Sequence, residues 1–150
     1  MKSPRGRATI ASTAEAPLKL EIIKQFSIFL PNRPGSLARV AKLFADKGVN
    51  MLGIASEVRD DSGMVRIAVP VDADVSGILS AAGFASVETT LISVEVDDKP
   101  GALARVAQAL AEGKVNITTV YGTSSGGSTS RILINAENAE KARAALEKLA

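Results

Sequence analysis

A stretch of nineteen residues occurs twice in this chain of 150 residues. Residues 32–50 read NRPGSLARVAKLFADKGVN and residues 98–116 read DKPGALARVAQALAEGKVN, with ten of nineteen aligned positions identical and no gap. The copies lie 66 residues apart, so each unit is longer than a solenoid repeat and too small to bury a large core by itself. The sequence therefore predicts two related units, each packing against another unit.

Apolar residues follow the same pattern in both units. At residues 26–30 and 92–96 they occupy every second position, which predicts a β-strand before each Pro-Gly pair. After each pair they recur at i, i+3, i+4 and i+7, the spacing of an amphipathic helix. Two extended segments joined by a short loop, and a second helical stripe, complete each unit. This order predicts an α+β fold: ferredoxin-like β-α-β-β-α-β repeated twice, with antiparallel sheets and helices on one face.

The two units differ at their ends. Residues 84–90 are predicted to form a fourth strand in the first unit, whereas the second unit ends at Ala150 directly after its last helix. We therefore expect a first domain at residues 18–90 and a second at residues 91–150 that lacks its last strand. Either the chain is truncated, the position is empty, or another segment fills it, for which residues 8–13 are a candidate.

Composition excludes several classes of function. The chain has no cysteine and no histidine, so it lacks thiolate chemistry and the side chain most used for acid–base catalysis near neutral pH. No apolar run approaches the roughly 20 residues that span a bilayer. Residues 1–17 hold three basic residues and one acidic residue, and we interpret them as a disordered tail or expression remnant rather than an organelle transit peptide. We expect a cytoplasmic protein that is not an enzyme and uses no cofactor or metal.

Each unit has Pro-Gly at the head of an amphipathic helix and Val-Asn before the next strand, and in this the chain resembles tandem ACT-domain proteins. The resemblance covers residues 20–150 except for the absent last strand. It implies units that pair through their sheets and bind small effectors, most often amino acids, where the first loop of one unit meets the start of the second strand of its partner. The matching residues are Asn32, Gly35, Ser36, Asn50, Met51 and Leu52 in the first unit, and Asp98, Gly101, Ala102, Asn116, Ile117 and Thr118 in the second.

The start of each predicted helix is suited to a carboxylate. A sharp turn into a helix leaves N–H groups unpaired at the positive end of the helix dipole, and glycine allows a ligand to approach the backbone. Gly35 with Ser36, and Gly101 with Ala102, are expected to present these donors. The amide at position 32 can bond either end of an amino acid, whereas the carboxylate at position 98 prefers its ammonium group, so we expect unequal sites.

Structural roles are equally open for the same residues. Asn32 and Asp98 are of types that commonly cap helices and turns, which is an alternative to ligand binding. The paired glycines are alternatively required only for positive φ, and the asparagines at positions 50 and 116 only for helix ends. Gly126 and Gly127 belong to a hairpin loop rather than a phosphate cradle, because the Walker lysine and a following helix are absent.

Three functions are compatible with these features. The favoured one is a non-catalytic regulatory module that binds an amino acid between paired units, forms a homo-oligomer such as a homodimer, and acts on a separate metabolic enzyme. The alternative is a ligand-free oligomerisation or protein-interaction module. RNA binding is a remote third, because only 3% of residues are aromatic and residues 18–150 carry no net charge. We expect no nucleic-acid or membrane partner, and the sequence does not select the amino acid.

Overall fold

The computed structural model describes residues 18–124 and 126–149. The candidate strand at residues 8–13 therefore lies outside the described residues. No helix in the described part of the chain is long and apolar enough to cross a membrane. The described strands are β1 (Lys19–Pro31), β2 (Gly53–Arg59), β3 (Ser62–Val69), β4 (Ser86–Asp97), β5 (Ile117–Ser124) and β6 (Thr129–Ala136). The described helices are α1 (Ser36–Asp46), α2 (Ser76–Ala81), α3 (Ala102–Glu112) and α4 (Ala139–Glu147).

The six strands form one antiparallel sheet in which both units share the central strands. The order is β2-β3-β1-β4-β6-β5. Read from one edge, β2-β3-β1-β4 is the strand order of a ferredoxin-like unit, and β5-β6-β4-β1 repeats it from the other edge. The repeated ferredoxin-like fold is thus confirmed, and so is the absence of a last strand from the second copy, since α4 is the final element in the described residues.

The long strand β1 fills the position that the second copy leaves open. Its later half pairs with β3, from Lys24 opposite Val69 to Pro31 opposite Ser62. Residues 19–28 pair with β4, from Lys19 opposite Glu95 to Ile28 opposite Ser86, and the earlier part of this stretch pairs with β4 and not with β3. Of the three possibilities raised by the sequence, the structure therefore supports a filled position. The filling segment is the first half of β1.

The strand β4 is likewise shared between the units. The sequence predicts separate strands at residues 84–90 and 91–96, but the structure contains one strand from Ser86 to Asp97. No glycine or proline interrupts this stretch, and its threonines, valines and isoleucine favour extended backbone throughout. The proposed domain boundary between residues 90 and 91 consequently falls within a continuous strand.

Each unit buries its own core between the sheet and its helices. In the first unit, Phe26 and Ile28 of β1 pack with Val40 and Phe44 of α1. The second unit has the corresponding cluster, in which Val94 and Val96 of β4 pack with Val106 and Leu110 of α3. Fully burying a side chain of this kind stabilises the fold by about 1.5–3 kcal/mol. The helices therefore bury only part of the predicted stripes, since Leu37 and Leu103 at their heads are 50% and 54% exposed.

The sheet curls until its two edge strands meet on the face opposite the helices. In a flat sheet of this order, β2 and β5 would lie about 24 Å apart at the usual strand spacing of about 4.8 Å, yet these strands contact each other. Gly53 at the start of β2 permits this approach, because a Cβ atom there would lie 2.5 Å from Leu133 Cδ1. A third buried cluster, formed by Ile23, Ala68, Leu91 and Leu133, occupies the enclosed face.

A hydrogen-bonded chain crosses this enclosed face from the edge to the centre. The Tyr121 hydroxyl group of β5 donates to Gln25 Oε1 of β1 at 2.9 Å. Gln25 Nε2 donates in turn to Thr89 Oγ1 of β4 at 3.2 Å. Burial raises the pKa of Tyr121 to about 12, although the positive charge of Arg66 acts in the opposite direction. The hydroxyl group therefore stays protonated and donates its hydrogen bond at neutral pH.

Candidate ligand site at the first Pro-Gly loop

Glycine allows both helices to begin directly after a turn. Gly35 has φ 91° and Gly101 has φ 95°, so both adopt the left-handed conformation at the N-cap position. Other residues adopt this conformation at a cost. The predicted need for positive φ is thus observed at both loops.

The free N–H donors at the start of α1 come from the residues after Ser36. The first bond of this helix runs from the Arg39 N–H to the Gly35 carbonyl at 3.0 Å, so the three preceding N–H groups have no intrahelical acceptor. The Ser36 N–H already donates to the Arg33 carbonyl at 3.3 Å. Leu37 and Ala38 therefore present the donors that remain for an anion. At α3, Ala102 N–H is engaged in the same way, by the Lys99 carbonyl at 3.3 Å.

Asn32 fastens the first loop to the turn between β2 and β3. Its backbone N–H donates to the Asp61 carbonyl at 2.9 Å, and its Nδ2 donates to the Asp60 carbonyl at 2.8 Å. Within the loop itself, the Ser36 hydroxyl group donates to the Pro31 carbonyl at 2.7 Å. Asn32 Oδ1 has no partner among the residues that the structure describes. The side chain is thus held in place with one acceptor atom left over.

Asp98 occupies the corresponding place in the second loop but uses its carboxylate differently. Its backbone N–H donates to the Ser128 carbonyl at 2.9 Å, which parallels the bond made by Asn32. Its Oδ2, however, accepts a hydrogen bond from the Ser124 hydroxyl group at 2.7 Å. The carboxylate is therefore engaged within its own unit.

A cavity of about 140 Å³ lies beside the first loop, between the start of α1 and the β2–β3 hairpin. Its polar lining residues are Asn32, Arg33, Ser36, Ser56 and Glu57. Within the described part of the chain, the Arg33 guanidinium group has no ion pair. The apolar residues that line the cavity are Leu30, Pro31, Leu37, Val58, Met64 and Val65.

A wider groove of about 480 Å³ adjoins this cavity along the same hairpin. Phe29, Val58 and Met64 give it an apolar floor, and Glu57 and Arg59 lie along its edge. The Glu57 carboxylate is paired with the Arg66 guanidinium group at 3.0 Å. Two apolar side chains are highly exposed here, since Val58 is 58% and Phe29 is 50% exposed. The first loop therefore borders an apolar surface that no other described residue covers.

The β5–β6 hairpin of the second unit has a groove that is smaller and more polar than the groove of about 480 Å³ in the first unit. Its volume is about 200 Å³. In the second unit Glu95 pairs with Arg131, and in the first unit Phe29 pairs with Met64 at the equivalent positions. The residues that line the groove are Glu95, Thr123, Thr129, Ser130 and Arg131. The inequality of the two predicted sites therefore extends to their surroundings.

The residues predicted from the start of the second strand lie away from the loops of their own unit. α1 carries the chain from the first loop to Asn50 over 11 residues, a length of about 16 Å. Met51 packs against the first core, and the Leu52 N–H donates to the Ala68 carbonyl at 2.7 Å. One unit by itself therefore does not bring Asn50, Met51 and Leu52 next to Asn32.

The second unit has the same separation. Asn116 Nδ2 donates to Glu137 Oε1 at 3.0 Å, and the Thr118 hydroxyl group donates to the Asn135 carbonyl at 2.9 Å. Ile117 packs against the second core. These contacts join the start of β5 to the end of β6 and not to the loop that contains Gly101.

The repeated loop motif did not predict the contribution of the β2–β3 hairpin to the site. Val58, Met64 and Arg33 line the cavity but were not among the candidates. One difference between the two copies points to this hairpin. By strand register, Ser124 and Arg131 of the second copy correspond to Val58 and Met64 of the first. In the described residues, no group of three acidic, cysteine or histidine side chains is placed to hold a metal ion.

Comparison with known proteins agrees with this architecture. The family model described as the ACT domain pair matches residues 21–149. The crystal structure of protein BT0572 from Bacteroides thetaiotaomicron is similar, with 26% identity, a TM-score of 0.77, and coverage of 86% of this chain and 89% of that chain. The ligand-free regulatory subunit of aspartate kinase from Thermus thermophilus has 22% identity and a TM-score of 0.65 over 91% of this chain and 99% of its own.

A third similar structure is E. coli aspartokinase III in complex with lysine and aspartate. It has 16% identity and a TM-score of 0.56, and the match covers 90% of this chain and 32% of that chain. No curated protein matches the sequence. Because the family model spans most of the sequence and the strand order repeats as that fold requires, this chain belongs to the ACT domain pair family.

Proposed function

We propose that this protein is a regulatory ACT domain pair that binds an amino acid at the first Pro-Gly loop, at an interface between paired units. ACT domains are regulatory rather than catalytic, so membership of the family supports a non-catalytic regulatory role. The observation that carries the proposal is the cavity of about 140 Å³ beside the start of α1. It combines helix N–H donors, a guanidinium group that has no ion pair among the described residues, and a largely apolar wall, which together suit an amino acid.

The proposed site is completed by a second chain. Asn32 and Asn50 lie at opposite ends of one unit, so a ligand that contacts both needs another unit beside it. An exposed apolar surface next to the first loop, which includes Val58 and Phe29, supports such a contact. A homodimer would thereby form the complete site, and the regulated metabolic enzyme would be a separate chain.

Regulation requires that the ligand bind one arrangement of the chains more tightly than another. The ligand then shifts the population toward that arrangement by its difference in affinity. The aspartokinase III structure, which has the same fold in part of its chain, contains lysine and aspartate. This fold relation supports an amino acid as the first class of ligand to test.

A thermal-shift screen against the twenty amino acids tests the proposal. A ligand at 100 times its Kd stabilises the folded protein by about 2.7 kcal/mol, which for a chain of this size raises the Tm by about 5–11 °C. Light scattering with and without that ligand then reports the change in assembly. If no amino acid at millimolar concentration shifts the Tm, the proposal is wrong.

Assembly without a ligand is the second candidate function. The edge strand β2 exposes Ile54 and Val58, at 47% and 58%, which favours contact with another chain. A stable oligomer combined with a flat amino-acid screen would support this alternative. A monomer at all practical concentrations would exclude it.

A further inference from the structure

We infer that the ligand is an amino acid with an apolar side chain of the size of leucine, methionine or phenylalanine, and that only the first loop binds it. The inference rests on the proposed function and specifies the ligand class and the number of sites. It follows from the walls of the cavity beside the first loop and from the way in which the second copy departs from them.

The size of the cavity sets the size of the side chain. Its volume is about 140 Å³, and apolar protein cavities of about 150 Å³ are large enough to hold benzene. A side chain of four to seven carbon or sulfur atoms therefore fills it. Alanine or glycine would leave most of the apolar wall exposed to water.

The wall favours an apolar side chain, although Ser56 and Glu57 also line the cavity, because the Glu57 carboxylate is already paired with the Arg66 guanidinium group at 3.0 Å. Gly63 of β3 pairs with Val58 of β2 on one side and with Leu30 of β1 on the other. Val58 and Leu30 therefore border the cavity from the two strands that flank β3. Leu37 faces them from the first turn of α1 and is 50% exposed. A hydroxyl, amide or charged group placed against these side chains would lose its hydrogen bonds with water without replacement.

The rim of the cavity provides partners for the two charged groups of an amino acid. The Leu37 N–H group and the Arg33 guanidinium group suit a carboxylate, since both are donors and the guanidinium group carries a positive charge. Asn32 Oδ1 is an acceptor that suits an ammonium group. These groups fix which end of the ligand faces the rim and leave the side chain to the apolar wall.

The second copy lacks both parts of this arrangement. By register, Ser124 replaces Val58 and Arg131 replaces Met64, so the apolar wall becomes polar and charged. The Asp98 carboxylate, which corresponds to the amide of Asn32, accepts the Ser124 hydroxyl group at 2.7 Å. The second loop therefore keeps the turn that begins the helix but not the surface that would select an apolar ligand.

Isothermal titration calorimetry on the full chain tests the inference. The probes are leucine, methionine and phenylalanine, compared with serine, lysine and glutamate. We expect at least one apolar amino acid to bind at least tenfold more tightly than every polar one, at one ligand per chain. A preference for a polar or charged amino acid, or two equivalent ligands per chain, would overturn the inference.

Matched variants of the two copies locate the site. Val58→Ser gives the first copy the residue found in the second, and Ser124→Val makes the reverse change. Since one methylene group in an apolar pocket is worth roughly 10–200-fold in discrimination, we expect Val58→Ser to weaken binding at least tenfold and Ser124→Val to leave it unchanged. Equal weakening by both changes, or none by Val58→Ser, contradicts the assignment to the first loop.

A second pair of variants tests whether a loss of ligand binding is caused by misfolding. Leu37→Ala and Leu103→Ala truncate equivalent side chains that are 50% and 54% exposed, so neither removes a core residue. We expect only Leu37→Ala to weaken binding, with both variants keeping the wild-type circular dichroism spectrum. If no amino acid binds the wild-type chain, the proposed function fails together with this inference, whereas binding of the wrong class refutes the inference alone.

Discussion

Removing the hydroxyl group of Tyr121 tests whether a hydrogen bond holds the curled sheet closed. This group, on the edge strand β5, donates to Gln25 Oε1 at 2.9 Å, and Gln25 is only 2% exposed. In Tyr121→Phe the acceptor stays buried and loses its partner, which costs about 1–3 kcal/mol. We therefore expect the variant to unfold with a free energy lower than that of the wild type by this amount.

Urea denaturation followed by far-UV circular dichroism measures the effect. Fluorescence is unsuitable, because Tyr121 is the only tyrosine and the chain has no tryptophan. With an m-value of about 2 kcal/mol/M, the expected loss lowers the urea midpoint by about 0.5–1.5 M. An unchanged m-value would show that the change acts on stability and not on the compactness of the unfolded chain.

A double-mutant cycle with Gln25→Leu separates the hydrogen bond from other effects of the substitution. In the Gln25→Leu background the hydroxyl group has no amide to bond, so its removal should cost little or stabilise the fold. The cycle should then give an interaction energy of at least about 0.5 kcal/mol. If Tyr121→Phe costs the same in both backgrounds, the bond does not stabilise the closed sheet and the reasoning is refuted.

Three further predictions concern the helices and the titration of the tyrosine. Leu110→Ala should lower the free energy of unfolding by about 2–5 kcal/mol because Leu110 is fully buried, whereas Leu103→Ala on the same helix should change it by less than about 0.5 kcal/mol in urea melts. Gly35→Ala should cost about 1–2 kcal/mol in the same assay, entirely from its φ of 91°, since a Cβ there meets no atom within 4 Å. Because burial raises the pKa of Tyr121 to about 12, its contribution to stability should be complete below pH 10 and be lost between pH 10 and 12, and a melt series should show this loss in the wild type but not in Tyr121→Phe.

The repeated elements were predictable from the sequence because each depends on local pattern. The helical pattern after Gly35 and the alternation around Phe26 are properties of short segments. The predicted helix and strand both form, although Leu37 at the head of the helical stripe is 50% exposed. Which strands pair is a property of distant segments. The apolar alternation of β1 does not reveal that its first half pairs with β4, because a strand with two partners has the same pattern as a strand with one.

The candidate site was predictable only where it depends on the backbone of one loop. Gly35 and Asn32 lie at the predicted turn, but Asn32 does not cap the helix, since its side chain donates to the Asp60 carbonyl of the β2–β3 turn. The apolar wall comes from a hairpin more than twenty residues away, so Val58 enters the site through tertiary packing. Likewise the contact of the Arg39 guanidinium group on α1 with the Phe84 ring, 4.7 Å from its centre, depends on tertiary packing.

The shared strands restrict how a ligand at the first loop can act. β1 pairs with β4 from Lys19 opposite Glu95 to Ile28 opposite Ser86, and the same strand leads directly into the loop at Asn32. A hinge between the units would have to break this ladder and expose the buried residues on both of its faces, among them Ile23 and Leu91. The unfavourable exposure opposes such a hinge motion. If a ligand binds at the first loop as we propose, it would therefore act by changing the contact of one chain with another, because a movement between the two units would disrupt their common sheet.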